Sequence, residues 1–261
     1  MRGLGPLAIV VALAGMSAAA QAPRVSVVEA SIADLSRALA QRRVTSRELV
    51  QQSLTRIAIY EDRLNAVIVV NPHALDDADA RDRERASGYL RGLLHGIPVA
   101  VKDNIQTRDL PTTGGARAFA GLVPPDDAPL VRHLRDAGAI IIAKTQMTEL
   151  ANWVTVGMPA NYNSLTGYGM NPYDPRVDPR PGLDDGRPVL TTGGSSSGVG
   201  TAVSFWAASV GTETSGSILS PSNQNMLVGI KPTVGRISRT GIIRSEEHTS
   251  ELQSRGLISY A

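Results

Sequence analysis

An α/β fold is predicted by three observations. Two short apolar runs, Ile97 to Val101 and Ala139 to Ala143, flank an amphipathic stretch from Ala128 to Ala137 that stops at Gly138. Strand, helix and strand at that spacing make a parallel βαβ unit. The 261 residues are 42% hydrophobic and 19% charged, which is enough apolar material for one large core and excludes a disordered or collagen-like chain. Cysteine is absent, which removes disulfides, thiolate metal sites, iron–sulfur clusters and cysteine nucleophiles.

From the N-terminus, residues 1–20 read as an export signal. Arg2 supplies a basic start, Leu4 to Ala14 is mostly apolar, and Ser17 to Ala22 offers small-residue cleavage sites, the best after Ala20. The apolar stretch is shorter than the roughly 20 residues a membrane span needs, so the expected product is exported, periplasmic or secreted, with no span in the mature chain. A first helix is expected between Ser31 and Val44, with Ile32, Leu35, Leu39 and Ala40 at helical spacing. Thr45 and Glu48 form a capping box that opens a second helix, whose apolar face is Leu49, Leu54 and Ile57. A third helix is expected from Leu75 to Leu90. The first strand then ends at Lys102-Asp103-Asn104, and Asn161 to Pro188 reads as loop. Residues 21–243 form the domain. From Arg244 to Ser254 the chain resembles a translated sequencing adapter, so residues 244–261, His248 included, are expected to be an artefactual tail on a protein that continues naturally past about Ile243.

The net charge of +2, with no basic run, argues against nucleic acid or an anionic surface as partner. With four histidines, none within five residues of another, no histidine metal site is expected, and His73, His95 and His133 read as structural.

Chemistry concentrates in Thr191 to Ser220. Of these 30 residues 19 are Gly, Ser or Thr, Glu213 is the only charge, and Val199, Phe205 and Trp206 carry too much apolar surface for a linker. Serine hydroxyls near backbone N–H groups supply what acyl transfer needs, a nucleophile and an oxyanion site. A serine also needs a base. Gly194 to Gly198 fits a nucleophile elbow with Ser196 as nucleophile, but the only later histidine is His248 in the suspect tail. Lysine is the better base: Lys102 closes one apolar strand, where desolvation lowers an amine's pKa, and Lys144 closes the other and competes on the same grounds.

Six ordered blocks now identify a family. Gly96-Ile-Pro-Val-Ala-Val-Lys-Asp-Asn104, Ala143-Lys-Thr-Gln-Met-Thr-Glu149, Asn171-Pro-Tyr-Asp-Pro175, Gly193-Gly-Ser-Ser-Ser-Gly198, Gly211-Thr-Glu-Thr-Ser-Gly-Ser217 and Val228-Gly-Ile-Lys-Pro-Thr233 together resemble the amidase signature family, from about Ser31 to Ile243. The resemblance implies a mixed central sheet with helices on both faces and a C-terminal half missing here. It implies a Ser–cis-Ser–Lys triad in which Lys102 is the base, Ser195 the bridging serine and Ser217 the nucleophile. Thr214, Ser215, Gly216 and Ser217 match the oxyanion hole, and Ser196 supports the geometry. The implied reaction is hydrolysis of a carboxylic amide to acid plus ammonia or amine through an acyl-enzyme, with neither metal nor organic cofactor. The partner is a small-molecule or peptide amide; Ile218, Leu219 and Ser220 stand where some relatives carry an arginine for a substrate carboxylate, which favours a neutral acyl group in the peptide-amidase-like manner. The alternatives are a noncatalytic amidase-like binding protein and a tRNA-dependent amidotransferase A-like subunit. Ser195 and Ser217 lie 22 positions apart, about two residues fewer than the family pattern. Two residues turn a helix by about 200°, so a loop must absorb the shortage.

Overall fold

The helices start where their caps place them. In the computed structural model, which describes residues 25–153, 157–194, 198–243 and 255–260, the Ser31 hydroxyl accepts the Asp34 N–H at the start of α1 (Ile32–Ala40). Thr45 and Glu48 form the expected reciprocal cap of α2 (Ser46–Leu64), with backbone-to-side-chain bonds of 3.1 and 2.8 Å. Then follow β1 (Val67–Val70), α3 (Ala74–Ala86), β2 (Pro98–Lys102), α4 (Pro129–Asp136) and β3 (Ile140–Thr145). A small hairpin, β4 (Tyr162–Asn163) and β5 (Gly167–Tyr168), interrupts the stretch expected to be loop. Its reason is local: the Asn163 side-chain carbonyl oxygen accepts the N–H groups of Leu165 and Thr166, which closes the turn. The remaining elements are α5 (Val199–Ala202), β6 (Ala208–Glu213), α6 (Leu219–Gln224), β7 (Val228–Gly229) and β8 (Arg255–Tyr260).

Six strands form one mixed sheet in the order β1-β3-β2-β6-β8-β7. β2 runs parallel to both β3 and β6, while β1, β8 and β7 are antiparallel to their neighbours. The βαβ unit predicted around α4 is therefore present, and the fold class is the expected one. Every residue of β2 and β3 is buried, as a strand covered on both faces requires. Side chains leave the sheet alternately. Val99, Val101, Ile141 and Val210 pack with Leu35 and Leu39 of α1 and Val131 and Leu134 of α4. Ala100, Ile140, Ile142 and Ala143 pack on the opposite face with α2 and α3 residues and with Phe205 and Trp206.

One irregularity matters for the site. Between the pairs Val99–Ile141 and Ala100–Ala143 the register shifts by one residue of β3. Unshifted, Lys102 would pair with Lys144 and share its face. Shifted, Lys144 pairs with Val101 and Lys102 with Thr145, so the two lysines leave the sheet on opposite faces.

The stretch before β6 holds a helix of only four residues, α5, and Ser204 in the left-handed region at φ 56°. The Trp206 indole N–H donates to the Thr201 hydroxyl, and Thr201 pairs with Ser209, which ties that short connection together. Of the expected tail, residues 255–260 form β8; residues 244–254, His248 among them, lie outside the described residues, as do residues 1–24, where the export signal was expected. Among the described residues no helix is long and apolar enough to cross a membrane.

Candidate active site

Lys102 ends β2, Asp103 and Asn104 follow it, and the three, all buried, reach three different ways. Lys102 Nζ donates to the carbonyl oxygen of Thr212 at 3.1 Å and to its hydroxyl at 3.0 Å. Asn104 donates to the same hydroxyl at 3.0 Å and to the Ile243 carbonyl at 2.8 Å. Asp103 turns away. Its carboxylate accepts the N–H groups of Thr113 and Gly115 and the Thr113 hydroxyl, and lies 3.8 Å from Lys144.

The two candidate bases are thereby separated. Lys144 Nζ donates toward four oxygens, the carbonyls of Ile105 and Pro111 and the hydroxyls of Thr107 and Thr112, at 2.8 to 3.2 Å. It clamps the loop that follows β2. Burial lowers its pKa to about 8 against the opposing pull of Asp103; burial raises Asp103 in turn, against Lys144 and its hydrogen-bond donors. At Lys102 burial goes further and lowers the pKa to about 7, with the charge of Glu213 pulling the other way.

Glu213 is the site residue that sequence reasoning passed over. It ends β6, is 2% exposed, and accepts the N–H groups of Ile218 and Leu219 at 2.8 and 2.9 Å while pairing with Lys231 at 3.1 Å. Burial works to raise its pKa, but the Leu219 and Ile218 donors, Lys231 and the Gly216 N–H together hold it below the usual carboxylate range. Its carboxylate thus pins the turn that carries Ser217. The signal was available: it is the single charge in a 30-residue run of small residues. Thr212 carried no comparable signal, because its role depends on a pairing between strands 110 positions apart.

The two serine-bearing loops meet back to back. Gly193 sits at φ +81°, and a Cβ there would lie 2.6 Å from the Pro221 nitrogen. A Cβ on Gly194 would come within 3.2 Å of the Ser217 Cα. Only glycines let the segment entering Ser195 approach the Ser217 turn this closely. The Gly194 N–H also donates to the Ser220 hydroxyl at 3.3 Å. Ser195 and Ser196 themselves lie outside the described residues.

Above this junction is a cavity of about 440 Å³. Gly194, Thr214, Ser215 and Ser217 form its polar wall, so three of the four expected oxyanion residues face it. Thr148, Ala151, Asn152, Trp153, Met158 and Ala160 complete its lining. Trp153 follows three consecutive left-handed residues, Leu150, Ala151 and Asn152, at φ 43°, 57° and 72°. Such conformations cost about 1–2 kcal/mol each outside glycine, and such strain gathers at functional sites. Bonds from the Leu150 N–H to the Gly114 carbonyl (2.7 Å) and from the Ala151 N–H to the Thr148 carbonyl (3.0 Å) hold the run in place.

The histidines stand elsewhere. His95 is buried between the Arg81 carbonyl and the Arg91 N–H, a packing role, and His73 and His133 lie at the ends of α3 and α4.

The family model described as Amidase matches residues 48–260. The chain belongs to the amidase family. "Probable amidase" of Arabidopsis thaliana is 40% identical over 225 residues, covering 84% of this chain and 41% of that protein. A glutamyl-tRNA(Gln) amidotransferase protein of Salinispora arenicola is 38% identical over 216 residues, 82% of this chain and 40% of that one. Among solved structures, the native peptide amidase of Stenotrophomonas maltophilia superposes with a TM-score of 0.72 at 41% identity, covering 82% of this chain and 42% of its own. This amidase chain therefore spans about two-fifths of the length of the relatives it matches.

Proposed function

We propose that this chain carries the reacting centre of an amide hydrolase, with Ser217 as nucleophile, Ser195 as proton relay and Lys102 as base. The single observation that carries the reading is Lys102: an amine buried at the end of a parallel strand, poised near neutrality and held by Thr212, the neighbour of the Glu213 that fixes the turn before Leu219. In the proposed relay the neutral amine keeps its bonds to Thr212 and takes the proton from a serine hydroxyl.

In the proposed reaction Ser217 Oγ attacks the amide carbon while its proton passes through the Ser195 hydroxyl to Lys102. The oxyanion is met by backbone N–H groups of the Thr214–Ser217 turn, each worth about 3 kcal/mol of barrier. The C–N bond breaks as the same proton returns through Ser195 to the departing nitrogen. Water then replaces the amine and the relay runs again to release acid. A peptide amidase is among the structural neighbours, at 41% identity, and the uncharged lining of the cavity accords with a neutral acyl group.

Ammonia release from simple amides tests this. Ser217→Ala is expected to abolish turnover, and undiminished turnover would overturn the assignment. If Ser196→Ala were the fatal change instead, the elbow reading would replace it. The likeness to the amidotransferase, 38% identical, favours one second reading, amide hydrolysis in service of tRNA amidation. We infer export from residues 1–20, and fractionation separates the two readings: residence in the cytosol would favour the second.

A further inference from the structure

We propose that Trp153, with Met158, forms an apolar subsite for an uncharged, ring-bearing side group of the amide substrate, and that Trp153 sets the preference between substrates. This rests on the reading of Ser217 as the reacting group and adds to it the class of amide that reaches it.

Three observations carry the inference. One cavity brings Trp153, Met158 and Ala160 together with Thr214, Ser215 and Ser217, and Thr148 and Asn152 line it too. None of its described lining residues is charged, so a carboxylate or ammonium on the substrate would lose water and meet no counter-charge there. And Trp153 is 42% exposed, although an indole is among the largest apolar surfaces a protein carries, while the other tryptophan, Trp206, is 1% exposed in the core. An open indole lining the same cavity as Ser217 is a surface a ligand can cover.

The backbone explains why it stays open. The left-handed run Leu150–Asn152 keeps the chain from continuing as a helix that would fold Trp153 onto the body of the protein. The Glu149 carboxylate accepts the Ser164 N–H at 2.7 Å and fixes the near side of that run. Rings stack on indole in offset or edge-on geometry, and the thioether of Met158 adapts to either.

The test compares N-acetylphenylalaninamide with N-acetylalaninamide, following kcat/KM by ammonia release and affinity by calorimetry, in the unsubstituted chain, Trp153→Ala and Trp153→Phe. The phenylalanine amide is expected to be preferred at least tenfold. Trp153→Ala should erase most of that ratio while changing the alanine amide less than about threefold, and Trp153→Phe should restore it. A ratio unmoved by Trp153→Ala in a chain that still hydrolyses amides would overturn the subsite and leave the Ser217 reading standing. Loss of the binding ratio in a chain that hydrolyses neither amide would support the subsite and overturn the reaction. Failure of the unsubstituted chain to bind either amide would overturn the subsite.

Discussion

Two lysines on adjacent strands, each 0–1% exposed, have opposite fates. Lys144 is surrounded by four oxygens and a buried carboxylate, which leave its pKa lowered by burial only to about 8, and its task is to hold the loop after β2. Lys102 donates to two oxygens of one threonine and feels the Glu213 carboxylate at a distance, and burial outweighs that pull. What decides is environment, since residue type and depth are the same. A one-residue shift of register creates the difference by sending the two side chains to opposite faces.

The comparison can be broken most forcefully at the lysines themselves. Lys102→Met should lower amide turnover by about a thousandfold or more, the scale on which removal of one member of a catalytic unit acts. Its melting temperature should hold or rise, because a desolvated amine is exchanged for a thioether of similar volume. Lys144→Met should do the reverse to stability. It strands Asp103 and four oxygens without their donor and should cost about 3–5 kcal/mol in urea unfolding. A stable Lys144→Met chain, or a destabilised and active Lys102→Met chain, would erase the distinction.

Glu213 sharpens the comparison, because it joins the Ser217 turn to the charge state of Lys102. Glu213→Gln keeps the shape and removes the charge, and should cost about 1–3 kcal/mol through weakened bonds to Ile218, Leu219 and Lys231. The pH profile gives the sign. The base works deprotonated, so kcat/KM should rise as pH rises through about 7. The Glu213 carboxylate favours the ammonium form, so its loss should move that rising limb to lower pH. A limb that stays in place would mean Glu213 acts on structure alone.

Much of this was legible in the chain. Caps, apolar strands and the βαβ spacing depend on neighbours within a few residues, and they appear where expected. The blocks around Gly193–Gly194 and Ser217 pointed to residues that the fold brings into contact, and the block ending at Lys102 to an amine that the fold buries against Thr212, with Ser195 itself outside the described residues. Pattern and spacing alone left Lys102 and Lys144 level, and only the family resemblance named Lys102, because both close similar apolar strands and the register shift is a property of the pairing, not of either strand. Asn163 hid a hairpin inside a polar stretch for a similar reason: an Asx turn and a loop share their composition. Trp153 was invisible because its meaning lies in the left-handed run before it, which ordinary residues disguise.

With only Lys102, Lys144 and Lys231 in the chain, an NMR titration of isotope-labelled lysine side chains, assigned with Lys102→Met, reads the decisive group directly. The Lys102 signal should titrate with a midpoint near 7. A midpoint near 10.4, the value of a lysine in water, would contradict the role given to it here.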